Sequence, residues 1–68
     1  MINLHQRYGH YLTNGRKHDR VNERVIGYGW TDDGENLTGY YVLTENCKLY
    51  YNMKEEYLYT EVIESIAA

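Results

Sequence analysis

The chain has no proline and no phenylalanine, and only one cysteine, one tryptophan and one serine in 68 residues. Each scarcity excludes something. A single cysteine, Cys47, excludes an internal disulfide and fits a reducing cytoplasm, although oxidative pairing between two chains stays open. The lone Ser65 lies near the end of the chain with no nucleophile-elbow sequence around it. No run is long and apolar enough for the roughly 20 residues of a membrane span, and the start lacks the basic-then-apolar pattern of a signal peptide. Asn36-Leu37-Thr38 matches a glycosylation sequon, which without an export signal is read as chance. There is no repeat, no low-complexity run and no linker, so residues 1–68 are expected to form one small domain.

What is abundant is tyrosine: nine residues, against one other aromatic, Trp30. A tyrosine ring is a large apolar surface, but its hydroxyl needs a partner when buried. A chain this short buries only about 60% of its extended surface and is marginally stable by itself. A thin core with polar tips near solvent is therefore expected, with a sticky aromatic face as a second consequence.

Charge is uneven. Residues 1–24 carry five cations (Arg7, Arg16, Lys17, Arg20, Arg24) against two carboxylates, a balance of +3, and hold His5, His10 and His18. Residues 25–68 carry Lys48 and Lys54 against eight carboxylates, a balance of −6. A net acidic chain is a poor general binder of phosphate backbones, but the basic segment could form a local positive patch.

Arg7 to Thr13 alternates weakly, with Tyr8, His10 and Leu12 on one side, and Asn14-Gly15 is a strong turn signal. Residues 1–24 are thus expected to give a basic segment with one strand or hairpin. Arg24 to Trp30 reads as a strand with Ile26, Tyr28 and Trp30 on one face and Val25, Gly27 and Gly29 on the other. Glycines in a strand allow a bend or the close approach of another group. Asp32 to Asn36 is a turn cluster. Residues 37–53 read as a hairpin. A turn centred on Asn46-Cys47 would oppose Glu45 with Lys48, Leu43 with Tyr50 and Val42 with Tyr51. One face then holds Tyr40, Val42, Leu49 and Tyr51, and the other Tyr41, Leu43 and Tyr50; a three-residue turn would mix these sets, because a one-residue slip turns a strand over. Both faces carry rings, which an antiparallel sheet with one wet face does not need.

The C-terminal stretch admits three readings, one of them a plain strand, since Tyr57-Leu58-Tyr59-Thr60 has strong strand propensity and Leu58, Val62 and Ile66 also share a face at strand period. Asn52 to Glu55 resembles a capping box, and Leu58, Val62 and Ile66 recur at helical spacing, giving an α+β alternative with a helix over about 53–66. The third reading combines these: a short strand at 57–59, one tight turn at Thr60-Glu61-Val62 and a last strand from Ile63 to Ile66. With that reading, the order of bent strand, acidic turn, tyrosine hairpin and strand–turn–strand over about residues 24–66 resembles the small SH3-like barrels. The resemblance implies an all-β, single-domain barrel of about five antiparallel strands with a short 3-10 turn near the C-terminus and a core in residues 25–66. In its small size and many tyrosines the chain also resembles accessory proteins of phages and mobile elements.

Catalytic constellations are thin. Asp32-Asp33 and Glu55-Glu56 sit in expected turns, where adjacent carboxylates are ordinary solvated charge. Cys47 beside Glu45 sits where a thiolate is disfavoured. His5, His10 and His18 fit no metal-binding spacing. The expectation is a non-enzymatic protein without cofactor or metal that binds another protein, with a homodimer as one form. Tyr28, Trp30, Tyr41 and Tyr50 are the candidate anchors, since tyrosine, tryptophan and arginine dominate binding hot spots. An alternative is a nucleic-acid surface made by Arg7, Tyr11, Arg16, Lys17, Arg20 and Arg24, where rings and cations interleave.

Overall fold

A computed structural model describes residues 2–9 and 16–63. The N-terminal segment opens with a single helical turn, α1 (Leu4–Tyr8). Asn3 caps it by accepting the Gln6 amide on its side chain at 3.0 Å. Leu4 and Tyr8 are four residues apart, so both face inward and both are buried. α1 takes in Arg7 and Tyr8, the first two residues of the stretch expected to alternate as a strand. His10 to Thr13 and the Asn14-Gly15 turn lie outside the described residues.

Four strands follow: β1 (Val25–Asp32), β2 (Leu37–Thr44), β3 (Cys47–Asn52) and β4 (Tyr57–Val62). They pair antiparallel with their sequence neighbours in the order β1-β2-β3-β4. The all-β expectation therefore holds for residues 25–62. Among the described residues the sheet is an open meander of four strands with β1 and β4 at its two edges. β4 runs unbroken through Thr60-Glu61-Val62, where a 3-10 turn was expected, and it excludes a helix over that stretch. Its tyrosines and Thr60 favour extended backbone, and pairing with β3 supplies the ladder that decides between the two.

Side chains of each turn close the loops. The Asp33 carboxylate accepts the Glu35 and Asn36 amides, each at 2.9 Å, while Gly34 takes φ 101°. Thr44 Oγ1 accepts the Cys47 amide at 3.0 Å, which makes Glu45-Asn46 the two-residue turn. Asn52 Oδ1 accepts the Lys54 amide at 2.8 Å and the Glu56 amide at 3.0 Å.

The observed hairpin opposes Leu43 with Lys48, Val42 with Leu49, Tyr41 with Tyr50 and Tyr40 with Tyr51. The expected register was offset from this by two residues. A shift of two preserves which face each side chain takes, so the face assignment stands while the pairings change. Glu45 does not oppose Lys48; Lys48 lies opposite Leu43 on one side and Glu61 on the other.

One face of the sheet is the core. Tyr40, Val42, Leu49 and Tyr51 are buried with Val25, beneath Leu4 and Tyr8 of α1. Fully burying side chains such as Val42 and Leu49 contributes roughly 1.5–3 kcal/mol each. The 16–24 segment closes the remaining side. Glu23 accepts the Thr44 hydroxyl at 2.5 Å and the Asn46 side-chain amide at 3.0 Å, and buried His18 reaches Tyr51.

Candidate functional site

The register places residues of the four strands in cross-strand rows. On the core face, Trp30, Tyr40, Tyr51 and Tyr57 stand side by side. Their ring centroids are 6.1, 5.0 and 5.9 Å apart in turn. On the opposite face the matching row is Gly29, Tyr41, Tyr50 and Tyr59. Tyr41 and Tyr50 are 6.4 Å apart, and Tyr50 stacks on Tyr59 at 4.5 Å with an 18° tilt. Two aromatic rows thus run back to back through one sheet.

Two local features set this arrangement. At Gly29, a Cβ would lie 2.5 Å from the Tyr41 hydroxyl oxygen, so the missing side chain lets the Tyr41 ring lie across β1. In β4, Leu58 is an extra residue between the Tyr50–Tyr59 and Tyr51–Tyr57 pairs. This bulge turns Tyr57 to the core face and leaves Tyr59 on the outer one. At simple strand period the two would share a face.

The four expected anchors therefore split. Tyr28 and Trp30 are on the core face beside α1, where Tyr28 and the His5 ring are 2.9 Å apart in a hydrogen bond. Tyr41 and Tyr50 are on the outer face, both half-buried. The structure does not gather them into one patch. Tyr59, 55% exposed, completes the outer row and was not among the expected anchors; only the bulge at Leu58 reveals its partner. The edge also exposes Leu58 and Val62, at 52% and 73%.

The outer row already holds one cation. Lys48 Nζ sits 4.4 Å from the Tyr41 ring centroid and 5.4 Å from that of Tyr50. A hydrogen bond to Tyr50, with Glu61 also near, raises the ammonium above its ordinary range. On the core face, Arg20 lies 5.0 Å from the Tyr57 ring centroid.

The expected nucleic-acid set is partly engaged within the molecule. Arg7 forms an ion pair with Asp19 at 2.9 Å and donates to the Tyr8 hydroxyl at 3.2 Å. Arg16 donates to the Arg7 carbonyl. Lys17 and Arg24 face each other in an isolated bridge that brings the 16–24 segment back on itself. Tyr11 lies outside the described residues.

His18 is the main polar element of the core and was not singled out by its spacing. Its Nδ1 accepts the Arg20 amide at 2.9 Å. The neutral ring then carries its proton on Nε2, which donates to the Tyr51 hydroxyl in a short contact. Burial lowers the His18 pKa, with Arg7 and Arg20 acting in the same direction and Asp19 opposing. The folded state thus resists a proton that the unfolded chain takes up near its ordinary value of 6.5. Stability is complete above that value and falls as the pH drops from it toward the lowered folded value. Urea midpoints should decrease between pH 7.5 and 5.5, and His18→Gln should flatten that step. Glu23, held low by its bonds to Thr44 and Asn46, adds a second loss only below about its ordinary 4.5.

Among the described residues, no three histidine, cysteine or acidic side chains come together as a metal site, and no helix is long and apolar enough to cross a membrane. Cys47 is not in the turn; it begins β3 and packs partly against the core. No protein-family model, curated protein or solved structure matches this chain.

Proposed function

We propose that the chain is a non-enzymatic protein-binding module that meets its partner through Tyr41, Tyr50 and Tyr59 and the adjoining edge of β4. The observation that carries this is the second aromatic row on the face opposite the core. Core packing accounts for Tyr8, Tyr40 and Tyr51, and it does not account for rings turned the other way. Tyrosine is a hot-spot residue because it offers a large rigid surface with a polar tip. Exposed Leu58 and Val62 at an edge strand add to the contact area.

A non-enzymatic role is supported by what the reactive residues do instead. Asp33 caps a turn, Glu56 accepts the Asn52 side-chain amide at 2.9 Å, and Cys47 packs beside the core. The proposed setting is the cytoplasm, and the proposed role is that of a small accessory protein or inhibitor acting on a host protein, as phage-encoded proteins do. The SH3-like relationship is likewise a proposal. The bulge in β1 and the meander that follows support it, and an experimental structure that finds or lacks a fifth, closing strand tests it.

The test of function separates binding from folding. Tyr50→Ala and Tyr59→Ala, singly and together, are used as bait in extracts of the native cell beside the unaltered chain. Selective loss of a captured protein with the melting temperature within a few degrees is the expected result. Capture that survives the double substitution removes the outer row from the interface. Nucleic-acid binding through the basic segment is the lesser reading, because Arg7 and Arg20 are already engaged. It requires affinity for single strands that falls steeply from low to physiological salt.

A further inference from the structure

We infer that the partner enters as an extended segment laid along the free edge of β4, carrying two cationic side chains two residues apart, one over Tyr59 and one against Glu61. The inference rests on the protein-binding reading and names the chemistry of that partner. Among the described residues, β4 is paired with β3 on one side only. Its outward backbone groups are a template for one more strand. Tyr59 and Glu61 stand on the outer face two residues apart, opposite Tyr50 and Lys48. Side chains at i and i+2 of an added strand fall on that same face, roughly 6.6 Å apart, in either strand direction.

The molecule contains its own precedent. Lys48, opposite Glu61, reaches diagonally across the neighbouring strand onto Tyr41 at 4.4 Å. An added cation opposite Glu61 would stand to Tyr59 as Lys48 stands to Tyr41. Charge chooses the sign of the occupant. Glu55, Glu56 and Glu61 are all exposed along this edge, and Lys54 is the one exposed cation in residues 53–62. The same acids select against a second copy of this chain. Antiparallel pairing of two β4 strands about Thr60 sets Glu61 of each copy opposite Tyr59 of the other and places the two Glu61 carboxylates diagonally on one face. Like charges so placed are destabilising. Pairing begins beyond the Leu58 bulge, along residues 59–62.

Three peptides test this with the full chain. They are Thr-Val-Arg-Val-Arg-Val-Thr, its isomer Thr-Val-Arg-Arg-Val-Val-Thr, and Thr-Val-Glu-Val-Glu-Val-Thr. The first should bind about two- to fivefold more tightly than the second, in which one of the two cations points to the opposite face. Binding should slow hydrogen exchange at amides of residues 59–62. Glu61→Arg should reverse the preference toward the glutamate peptide. Equal affinity for the two arginine isomers, no binding by any peptide, or protection away from β4 overturns the inference. So does a concentration-dependent dimer in sedimentation that protects β4, which makes a second copy the occupant. If no peptide binds while cellular capture still depends on Tyr50 and Tyr59, the edge mechanism fails and the binding module stands. If that dependence is absent as well, both fail.

Discussion

Tyr40→Ala is expected to leave the chain unfolded at 25 °C. Tyr40 is 1% exposed and sits at the centre of the core row, stacked on Tyr51 at 5.0 Å with an interplanar angle of 10°. Trp30 meets it edge-on from one side and the Tyr8 ring covers it at 6.4 Å from α1. Removing such a ring costs about 3–5 kcal/mol, because the lost contacts leave a cavity that a small sheet cannot fill. A chain this short lies toward the lower end of roughly 3–10 kcal/mol, so the loss takes up most or all of its stability. Far-ultraviolet circular dichroism and the disappearance of a cooperative thermal transition are the readouts. Tyr40→Phe is the control, since it keeps the ring and removes only the hydroxyl. That change should cost about 1 kcal/mol and leave a folded protein. A folded Tyr40→Ala with a normal melting temperature would mean that the core lies elsewhere.

The same pair of substitutions explains the missing phenylalanine. The buried hydroxyls are used: Tyr8 accepts from Arg7, and Tyr51 accepts from His18. No buried side-chain nitrogen or oxygen among the described residues lacks a partner. Polar tips thus link the 16–24 segment to the sheet, which phenylalanine could not do. The hydroxyl protons of Tyr40 and Tyr51 are held well above the ordinary phenol value by burial. These hydroxyls therefore stay neutral in the core.

How much of this was legible in the sequence follows from which features are periodic. Adjacent tyrosines in a strand must point to opposite faces, so Tyr40-Tyr41 and Tyr50-Tyr51 required two aromatic faces before any coordinates. Parity groups Tyr40 with Val42 and Leu49 with Tyr51, but whether the two groups share a face depends on the turn length; the two-residue turn joins them, and the grouping survived its register error because that error was even. What parity cannot carry is a bulge. Leu58 adds one residue to β4 and sends Tyr57 and Tyr59 to different faces, and nothing in Tyr57-Leu58-Tyr59 marks it. The short helix was hidden for another reason. One turn has no period to detect, and its start depends on Asn3 accepting a single amide. His18 was weighed only as a metal ligand, because its core role is set by contact with a residue 33 positions away.

Gly39→Ala should destabilise the fold by about 3 kcal/mol or more, at or beyond the upper end of usual overpacking costs. A Cβ on Gly39 would lie 1.9 Å from the Tyr51 carbonyl oxygen and 2.9 Å from the Asn52 Cα. Both obstacles are backbone of β3, the strand paired with Gly39 itself. No rotamer change relieves the clash. Strands β2 and β3 must separate at this end, which weakens the Tyr40–Tyr51 stack one residue away. Gly27→Ala makes the comparison clean, because it is the same chemical change in the neighbouring strand. There the nearest atom is Leu43 Cδ2 at 3.4 Å, the end of a flexible side chain, and the added methyl meets ordinary contact. That variant should stay within about 1 kcal/mol of the unaltered chain, since lowering the entropy of the unfolded state offsets the small crowding. Urea titration of both variants gives the answer directly. A large fall in midpoint for Gly39→Ala with almost none for Gly27→Ala supports the register of the β2–β3 pair. Equal midpoints would mean that Gly39 does not lie against the Tyr51 backbone, and the two aromatic rows would have to be redrawn.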